Sequence, residues 1–260
     1  MTNAIRVTIG AEPGEVARVG AAFDEFADAH ALPAGVRRSV SVALDELLTN
    51  TVMHGLGGRE AGEVTIDVEL RPDLLTVTLT DDGKPFDPFG RAAPDTALSV
   101  EERPIGGLGI HLVRRLMDEV SYQRRTDRNV VVLVKRLTDG AAADHPGGRL
   151  MDITTRAQGG VTIVKVAGSL DSNTSPQAQQ ALDAILASGA RKVAIDCTAL
   201  DYISSAGLRV LLGTVKRLGA AGGGLRLFGL NDTVREVFDI SGFSTILAVF
   251  PAEAGALAGF

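Results

Sequence analysis

Residues 42–55 read VALDELLTNTVMHG, and this stretch decides how the first half of the chain is interpreted. Its core-facing positions recur at helical spacing, which predicts a helix from about Arg37 to Leu56. Glu46, Asn50 and His54 fall at i, i+4 and i+8 on another side of that helix. A carboxylate can act as a general base, and an amide oxygen suits magnesium. Taken alone, the strip is better explained as an ordinary solvated face.

Residues 81–88, DDGKPFDP, follow a predicted strand and turn at a glycine. A carboxylate at a strand end can accept a hydrogen bond from an exocyclic amine, and Gly83 lets a flat base approach the backbone. By itself, Asp-Asp-Gly is also a common turn.

Residues 104–116, PIGGLGIHLVRRL, run from a glycine-rich loop directly into a predicted helix. Free amides and the positive end of a helix dipole suit a polyphosphate. The loop is neither a Walker A sequence nor a GxGxxG dinucleotide motif, and a flexible hinge is its plainer interpretation.

Together, these three segments resemble the GHKL ATPase superfamily over roughly residues 5–137. The first module is most similar to the anti-sigma factor serine kinases of bacterial partner-switching systems. Lys84 and Pro85 depart from the longer glycine motif of sensor kinases, which argues against sensor-kinase chemistry. The matching residues are Glu46 and Asn50 in the N box, Asp81 and Gly83 in the adenine-binding motif, and Gly107, Leu108 and Gly109 in the phosphate loop.

The resemblance implies ATP and Mg²⁺ as cofactors. Asn50 would then hold magnesium, and Glu46 would polarise the attacking hydroxyl. Asp81 would recognise the adenine amino group, while the amides of the glycine loop would reach the phosphates. The segment Lys84–Ile105 is long enough for a lid, and its Arg103 is either a phosphate contact or surface charge.

The second half contains GSLDSNTSPQAQQAL, residues 168–182, and IDCTALDYISSAGLRVLL, residues 195–212. The latter places Ser204 and Ser205 just before a predicted helix. A serine there is commonly a cap, and a phosphate there would be stabilised by the helix amides and dipole.

These stretches resemble the STAS domain of anti-sigma factor antagonists over roughly residues 151–252. The resemblance places the phosphoacceptor at Ser205. Ser204 stands where the family usually has aspartate, which leaves it as a second candidate, and Ala206 replaces a frequent second serine. Asp171, Asn173 and Thr174 match a loop near the acceptor, or they simply form a turn and an N-cap.

The organisation predicted is a GHKL domain over residues 1–137, a linker over 138–150 and a STAS domain over 151–260. The linker, TDGAAADHPGGR and its flanks, has no helical or strand period. The first module is predicted to be an α+β sandwich, and the second an α/β fold whose alternating strands and helices favour parallel pairing with a mixed sheet.

The formal net charge is -6, which argues against a broad basic surface for nucleic acid. The chain has a single cysteine, Cys197, which excludes an intramolecular disulfide framework. The N-terminal residues lack the pattern of a signal peptide, and no apolar run is long enough for a membrane span. We therefore expect a cytoplasmic protein with no direct nucleic-acid or membrane partner.

The function predicted is a partner-switching regulator in which the kinase module phosphorylates the STAS module, in cis or in trans within a possible homodimer. Its expected partners are a sigma factor or another regulated protein and a serine phosphatase. The alternative is a nucleotide-sensing binding module in which ATP or ADP gates STAS docking without phosphoryl transfer.

Overall fold

A computed structural model describes residues 2–12, 14–56, 62–90, 98–100, 102, 107–137 and 151–260. The chain forms two compact units, each built on its own five-stranded sheet. The predicted linker 138–150, Arg103 and half of the predicted lid lie outside the described residues.

The first sheet is wholly antiparallel, in the order β1-β2-β3-β5-β4. Alternate residues of its central strands are buried, and the intervening ones are half-buried or exposed, so one face carries the core. Its strands are β1 (Ala4–Ile9), β2 (Val64–Leu70), β3 (Leu74–Asp81), β4 (Glu119–Arg125) and β5 (Arg128–Arg136).

Three helices supply the other half of this core: α1 (Glu15–Ala29), α2 (Ala34–Asn50) and α3 (Gly109–Leu116). Phe23, Leu48 and Val113 pack in one cluster with Ile66 and Leu133 of the sheet. The helices α1 and α3 both contact α2. The predicted α+β sandwich is confirmed.

The second sheet is mixed, in the order β10-β9-β8-β7-β6. The strands β7 to β10 pair in parallel, whereas β6 and β7 form an antiparallel hairpin. Parallel pairing was therefore the correct prediction for every neighbouring pair but this hairpin. The strands are β6 (Asp152–Gln158), β7 (Val161–Leu170), β8 (Lys192–Ile203), β9 (Gly224–Phe228) and β10 (Ala248–Phe250).

Helices cover both faces of the second sheet. Ile163, Ala194 and Phe228 pack in a cluster with Ala256 of the last helix, while neighbours such as Val164 and Ile195 are buried toward the opposite face. The single cysteine, Cys197, lies in β8 with a side chain that is 1% exposed. The helices are α4 (Ser175–Ala187), α5 (Ser205–Ala220), α6 (Asp232–Ile240) and α7 (Glu253–Leu257).

One side chain holds the C-terminal helix against the sheet. The Arg226 guanidinium donates to the carbonyl oxygens of Ala256, Ala258 and Gly259 at 2.7–3.0 Å. It also lies 4.3 Å from the centre of the Phe260 ring. A five-residue helix is too short to be stable alone, so these contacts make α7 part of the fold. Among the described residues, no helix is both long and apolar enough to cross a bilayer.

Candidate functional site

The Asp81 carboxylate ends β3 in a buried position, with 6% of the residue exposed. Its Oδ1 accepts hydrogen bonds from the Gly83 amide and from Asn129 Nδ2, both at 2.8 Å. Both hydrogen bonds that described residues donate to this carboxylate end on Oδ1, so Oδ2 keeps its accepting capacity for a ligand. A strand-end carboxylate held in this way can recognise an amine.

Gly83 cannot carry a side chain at this turn. A Cβ there would lie 2.7 Å from Asp81 Oδ1 and 2.9 Å from the Gly55 carbonyl oxygen. The residue is therefore required by crowding between two segments, not by an unusual backbone angle. This explains physically why glycine follows the aspartate.

The helix α2 ends differently from the prediction, which extended it regularly to Leu56. It stops at Asn50 and continues as a π-helical turn over Thr51–Gly55, in which Leu56 N donates to Thr51 O at 2.8 Å. This bond joins residues five apart, where a regular α-helix joins residues four apart. His54 is exposed on this turn.

The π-helical turn joins the N-box helix to the Asp81 loop. Lys84 N donates to the Gly55 carbonyl at 3.3 Å, next to the crowded Gly83. Glu46, which is 6% exposed, and the half-buried Asn50 lie one turn apart on the same helix. Two of the three predicted segments therefore meet through backbone contacts.

The third segment enters α3, which packs against α2. Gly107 has φ +82°, a left-handed conformation that favours glycine. Leu108 is buried, and Gly109 is the first residue of the helix, also buried. A left-handed glycine followed by a helix N-terminus presents backbone amides in the way that an anion requires.

The sequence did not reveal the side chains of β4 and β5 that hold Asp81 in place. Asn129 pairs with Asp81 across β3 and β5 and is 4% exposed. Its Oδ1 accepts from Tyr122 Oη and Arg124 Nη1, both at 2.9 Å, while its Nδ2 also donates to Lys84 O at 2.9 Å. The signal in the sequence was a buried amide residue directly before the apolar run 130–134 of β5.

In the second unit, Ser204 and Ser205 start α5 as expected. Ser204 is the N-cap, and its Oγ accepts from Ala206 N at 3.2 Å while the residue is fully buried. Ser205 is the first helical residue and is 6% exposed. The cap interpretation is therefore correct for Ser204.

The loop after β7 lies beside this helix start. Asp171 Oδ1 accepts from the amides of Asn173 and Thr174 at 2.9 and 3.0 Å, which makes it a local turn before α4. Ser204 N donates to Leu170 O at 3.0 Å, linking the two loops. The loop is thus both a turn and a neighbour of the serines.

Known families match both units. The histidine kinase-like ATPase domain family matches residues 9–135, and the STAS domain family matches residues 152–256. These matches confirm the two families predicted for the two halves.

Individual relatives match one unit each. The serine-protein kinase RsbW of Bacillus subtilis is 31% identical over 146 residues, covering 54% of this chain and 81% of the relative. BtrV of Bordetella bronchiseptica, named as an anti-sigma factor antagonist, is 41% identical over 110 residues, covering 42% of this chain and 95% of the relative. The crystal structure of an anti-sigma factor antagonist from Mycobacterium paratuberculosis covers 42% of this chain and 92% of that chain, with 26% identity and a TM-score of 0.40.

Proposed function

Because the chain belongs to the histidine kinase-like ATPase family in its first half and to the STAS family in its second, we propose that it is an ATP-dependent partner-switching regulator. In this proposal the first unit transfers phosphate to a serine of a STAS domain. The observation that carries it is the contact between Gly55 and Lys84, which joins the Glu46 helix to the Asp81 loop.

The residues present fit a bound adenine nucleotide. The Asp81 carboxylate is buried, and one oxygen is satisfied by protein donors while the other is left for an amine. Gly83 keeps the loop free of a side chain, whose Cβ would lie 2.7 Å from Asp81 Oδ1. The amides at Gly107 and at the start of α3 supply partners of the right polarity for phosphates.

Magnesium would be held by the Asn50 amide oxygen together with ATP oxygens, and it would neutralise phosphate charge. Within the described residues, no group of three or more His, Cys, Asp or Glu side chains forms a metal cluster. A site with one protein ligand suits an ion that arrives with its nucleotide.

Glu46 is the residue positioned to handle the proton of the reaction. The serine oxygen forms a bond to the γ-phosphorus as the bond to the β,γ-bridging oxygen breaks, ADP leaves, and the hydroxyl proton passes to the Glu46 carboxylate. Positioning and charge neutralisation supply most of the catalysis in such transfers. Burial of Glu46 at 6% exposure keeps its carboxylate away from bulk water.

Ser205 is the acceptor that we propose. Ser204 is disfavoured because its Oγ is engaged as the α5 cap and the residue is fully buried. A phosphate on Ser205 would lie at the helix N-terminus, where the dipole stabilises negative charge. That added charge would weaken docking between the STAS surface and the kinase.

The proposed partners follow from these two activities. They are a sigma factor or another regulated protein, a STAS domain in cis or in trans, and a serine phosphatase that resets Ser205, all acting in the cytoplasm. Homodimerisation is the arrangement in which transfer in trans would occur. The boundaries we propose for the two domains are 1–137 and 151–260.

A second candidate function is favoured by the burial of Ser205. Ser205 is 6% exposed as a residue, so its hydroxyl must turn outward before it can be phosphorylated. In the alternative, ATP or ADP gates STAS docking and no phosphate is transferred.

Mass spectrometry of the intact chain and its peptides after incubation with Mg²⁺ and ATP tests the proposal. We expect one added phosphate on Ser205, which is lost in Ser205→Ala and in Glu46→Ala and retained in Ser204→Ala. A recombinant second unit, residues 151–260, added in trans distinguishes transfer to another copy.

Glu46→Ala also separates the two candidate functions. Because Glu46 serves the transfer and not the adenine contact, this variant should still bind ATP while losing the phosphate. If it retains nucleotide-dependent docking and the wild type never gains phosphate, the gated binding module replaces the kinase.

A further inference from the structure

The Arg124 guanidinium lies behind the Asp81 loop, on the edge strand β4. We infer that Arg124, acting through Asn129 and Gly83, positions the Asp81 carboxylate and thereby sets the preference for a purine that carries a 6-amino group. This inference rests on the proposed nucleotide function, and it assigns a positioning role to residues outside the three predicted segments.

The first step concerns the orientation of the Asn129 amide. A guanidinium has donors and no acceptor, so the group 2.9 Å from Arg124 Nη1 must be the amide oxygen. The Tyr122 hydroxyl donates to the same oxygen at 2.9 Å. The Asn129 NH₂ group is thereby turned toward Asp81 and Lys84, where it meets two acceptors.

The second step concerns the other donor to the carboxylate. Arg124 Nη1 also donates to the Gly83 carbonyl oxygen at 2.9 Å. Gly83 N donates to Asp81 Oδ1 at 2.8 Å. One guanidinium nitrogen therefore holds both residues whose N–H groups occupy Oδ1.

The position of Arg124 follows from strand register. It pairs with Asn129 across β4 and β5, and Asn129 pairs with Asp81 across β5 and β3. Three neighbouring strands thus carry the three side chains in one row, and the sheet sets their spacing. Arg124 is half-buried, which strengthens its hydrogen bonds relative to those of a fully exposed arginine.

The consequence concerns which purine the site accepts. With Oδ1 occupied by two donors, Asp81 is held with Oδ2 as the acceptor that a ligand meets. An exocyclic amine donates to that oxygen, whereas a 6-carbonyl group is itself an acceptor and is repelled. If Asn129 turned over, its own oxygen would face the carboxylate, and this arrangement would be lost.

Calorimetric titration with two diphosphates, which avoids phosphoryl transfer, tests the inference. ADP carries the 6-amino group, and purine riboside 5′-diphosphate lacks it. In Arg124→Met, we expect ADP to bind about ten-fold more weakly, since a hydrogen bond to a charged group is affected, and purine riboside diphosphate to change by less than about two-fold. Arg125→Met is the matched control, because Arg125 bonds to Gln123 on the exposed side.

Two further variants keep the test decisive. Asn129→Asp preserves the shape and the acceptors of the side chain but removes its N–H donor. We therefore expect this variant to lose at least as much ADP affinity as Arg124→Met, and it provides a second test should Arg124→Met fold poorly. In an Asp81→Ala background, Arg124→Met should cause no additional loss of ADP affinity.

If Arg124→Met lowers the affinity for both diphosphates equally, or for neither, the positioning role is overturned and the proposed function stays in place. A wild-type chain that binds neither diphosphate would remove the proposed nucleotide function as well, and the two failures are therefore distinguished by the wild type alone.

Discussion

The two units each place an aspartate at the end of a buried strand, and the two carboxylates differ in how they are held. Both accept a hydrogen bond from the amide two residues further on. Asp81 Oδ1 also accepts from Asn129, 48 residues further along the chain and on a neighbouring strand, whereas Asp171 Oδ1 accepts its other amide bond from Thr174, three residues away. The first carboxylate is therefore positioned by the sheet as well as by its turn, and the second is positioned by its turn.

The difference separates a recognition residue from a structural one. A local turn lowers the energy of the chain that contains it and needs no ligand. Burial of the Asp81 carboxylate costs desolvation, and its Oδ2 keeps unused accepting capacity. Such a cost is reasonable where a ligand completes the hydrogen bonds of the carboxylate. Residues of the same type after similar strands thus have different uses.

The largest effect should come from removing the long-range carboxylate. Asp81→Ala deletes the acceptor for the adenine amine and one of the two acceptors of Asn129 Nδ2, so we expect ATP affinity to fall about 100-fold, near the upper end for a hydrogen bond to a charged group. Isothermal titration measures it. Asp171→Ala is the control and should leave ATP affinity unchanged while lowering the midpoint of thermal unfolding. Equal loss of ATP binding in both variants would break the contrast.

An intermediate effect is expected at the start of α5, where the helix packs closely against the ends of β7 and β8. A Cβ at Gly207, in the first turn of α5, would lie 2.6 Å from Leu170 O and 2.8 Å from Ile203 Cγ1. Gly207→Ala should therefore reduce the free energy of unfolding by about 2 kcal/mol, as overpacking does, without changing ATP affinity. Urea denaturation measures it.

The matched control for that substitution lies on the same helix. A Cβ at Gly213 would meet nothing within 4 Å, so Gly213→Ala should stabilise the chain by about 0.5–1 kcal/mol through helix propensity. If Gly207→Ala and Gly213→Ala both lower the free energy of unfolding, α5 tolerates no added methyl group at either position. The effect at Gly207 would then not be due to overpacking against Leu170.

The smallest effect concerns the hairpin that brings Arg124 and Asn129 together. Thr126 has φ +41°, which is strained for a β-branched residue. Thr126→Gly should relieve part of this strain and raise the free energy of unfolding by about 0.5 kcal/mol, net of the entropy that glycine adds to the unfolded chain. Differential scanning calorimetry checks the direction. A lower unfolding midpoint would show that the turn depends on the threonine side chain.

Local patterns predicted the parts of the fold and site that depend on near neighbours. The helix containing Glu46 and Asn50, the turn at Asp81 and Gly83, and the serines before α5 were all visible in short stretches. Asn129 was not visible, because its role depends on strand register and not on adjacent residues. The same reason hid Arg124.

Element ends were the other source of error. The π-helical turn escaped prediction because His54 fits an i+4 pattern as well as any regular helix does. The strand β8 continues to Ile203, directly before the serines, because parallel pairing with β7 supports a segment without clear alternation. The helix α7 is a single short turn of small residues, held in place by Arg226.

Cys197 makes the opening of the second unit measurable by the rate at which a thiol reagent reacts. It is the only thiol in 260 residues, and burial, with Asp196 beside it, raises the pKa of its side chain above the ordinary value. A thiol reagent therefore has to wait for the central strand β8 to open before it can react. The rate of thiol labelling in the unaltered protein would therefore report the opening of β8. The first unit has no cysteine and would contribute nothing to this rate.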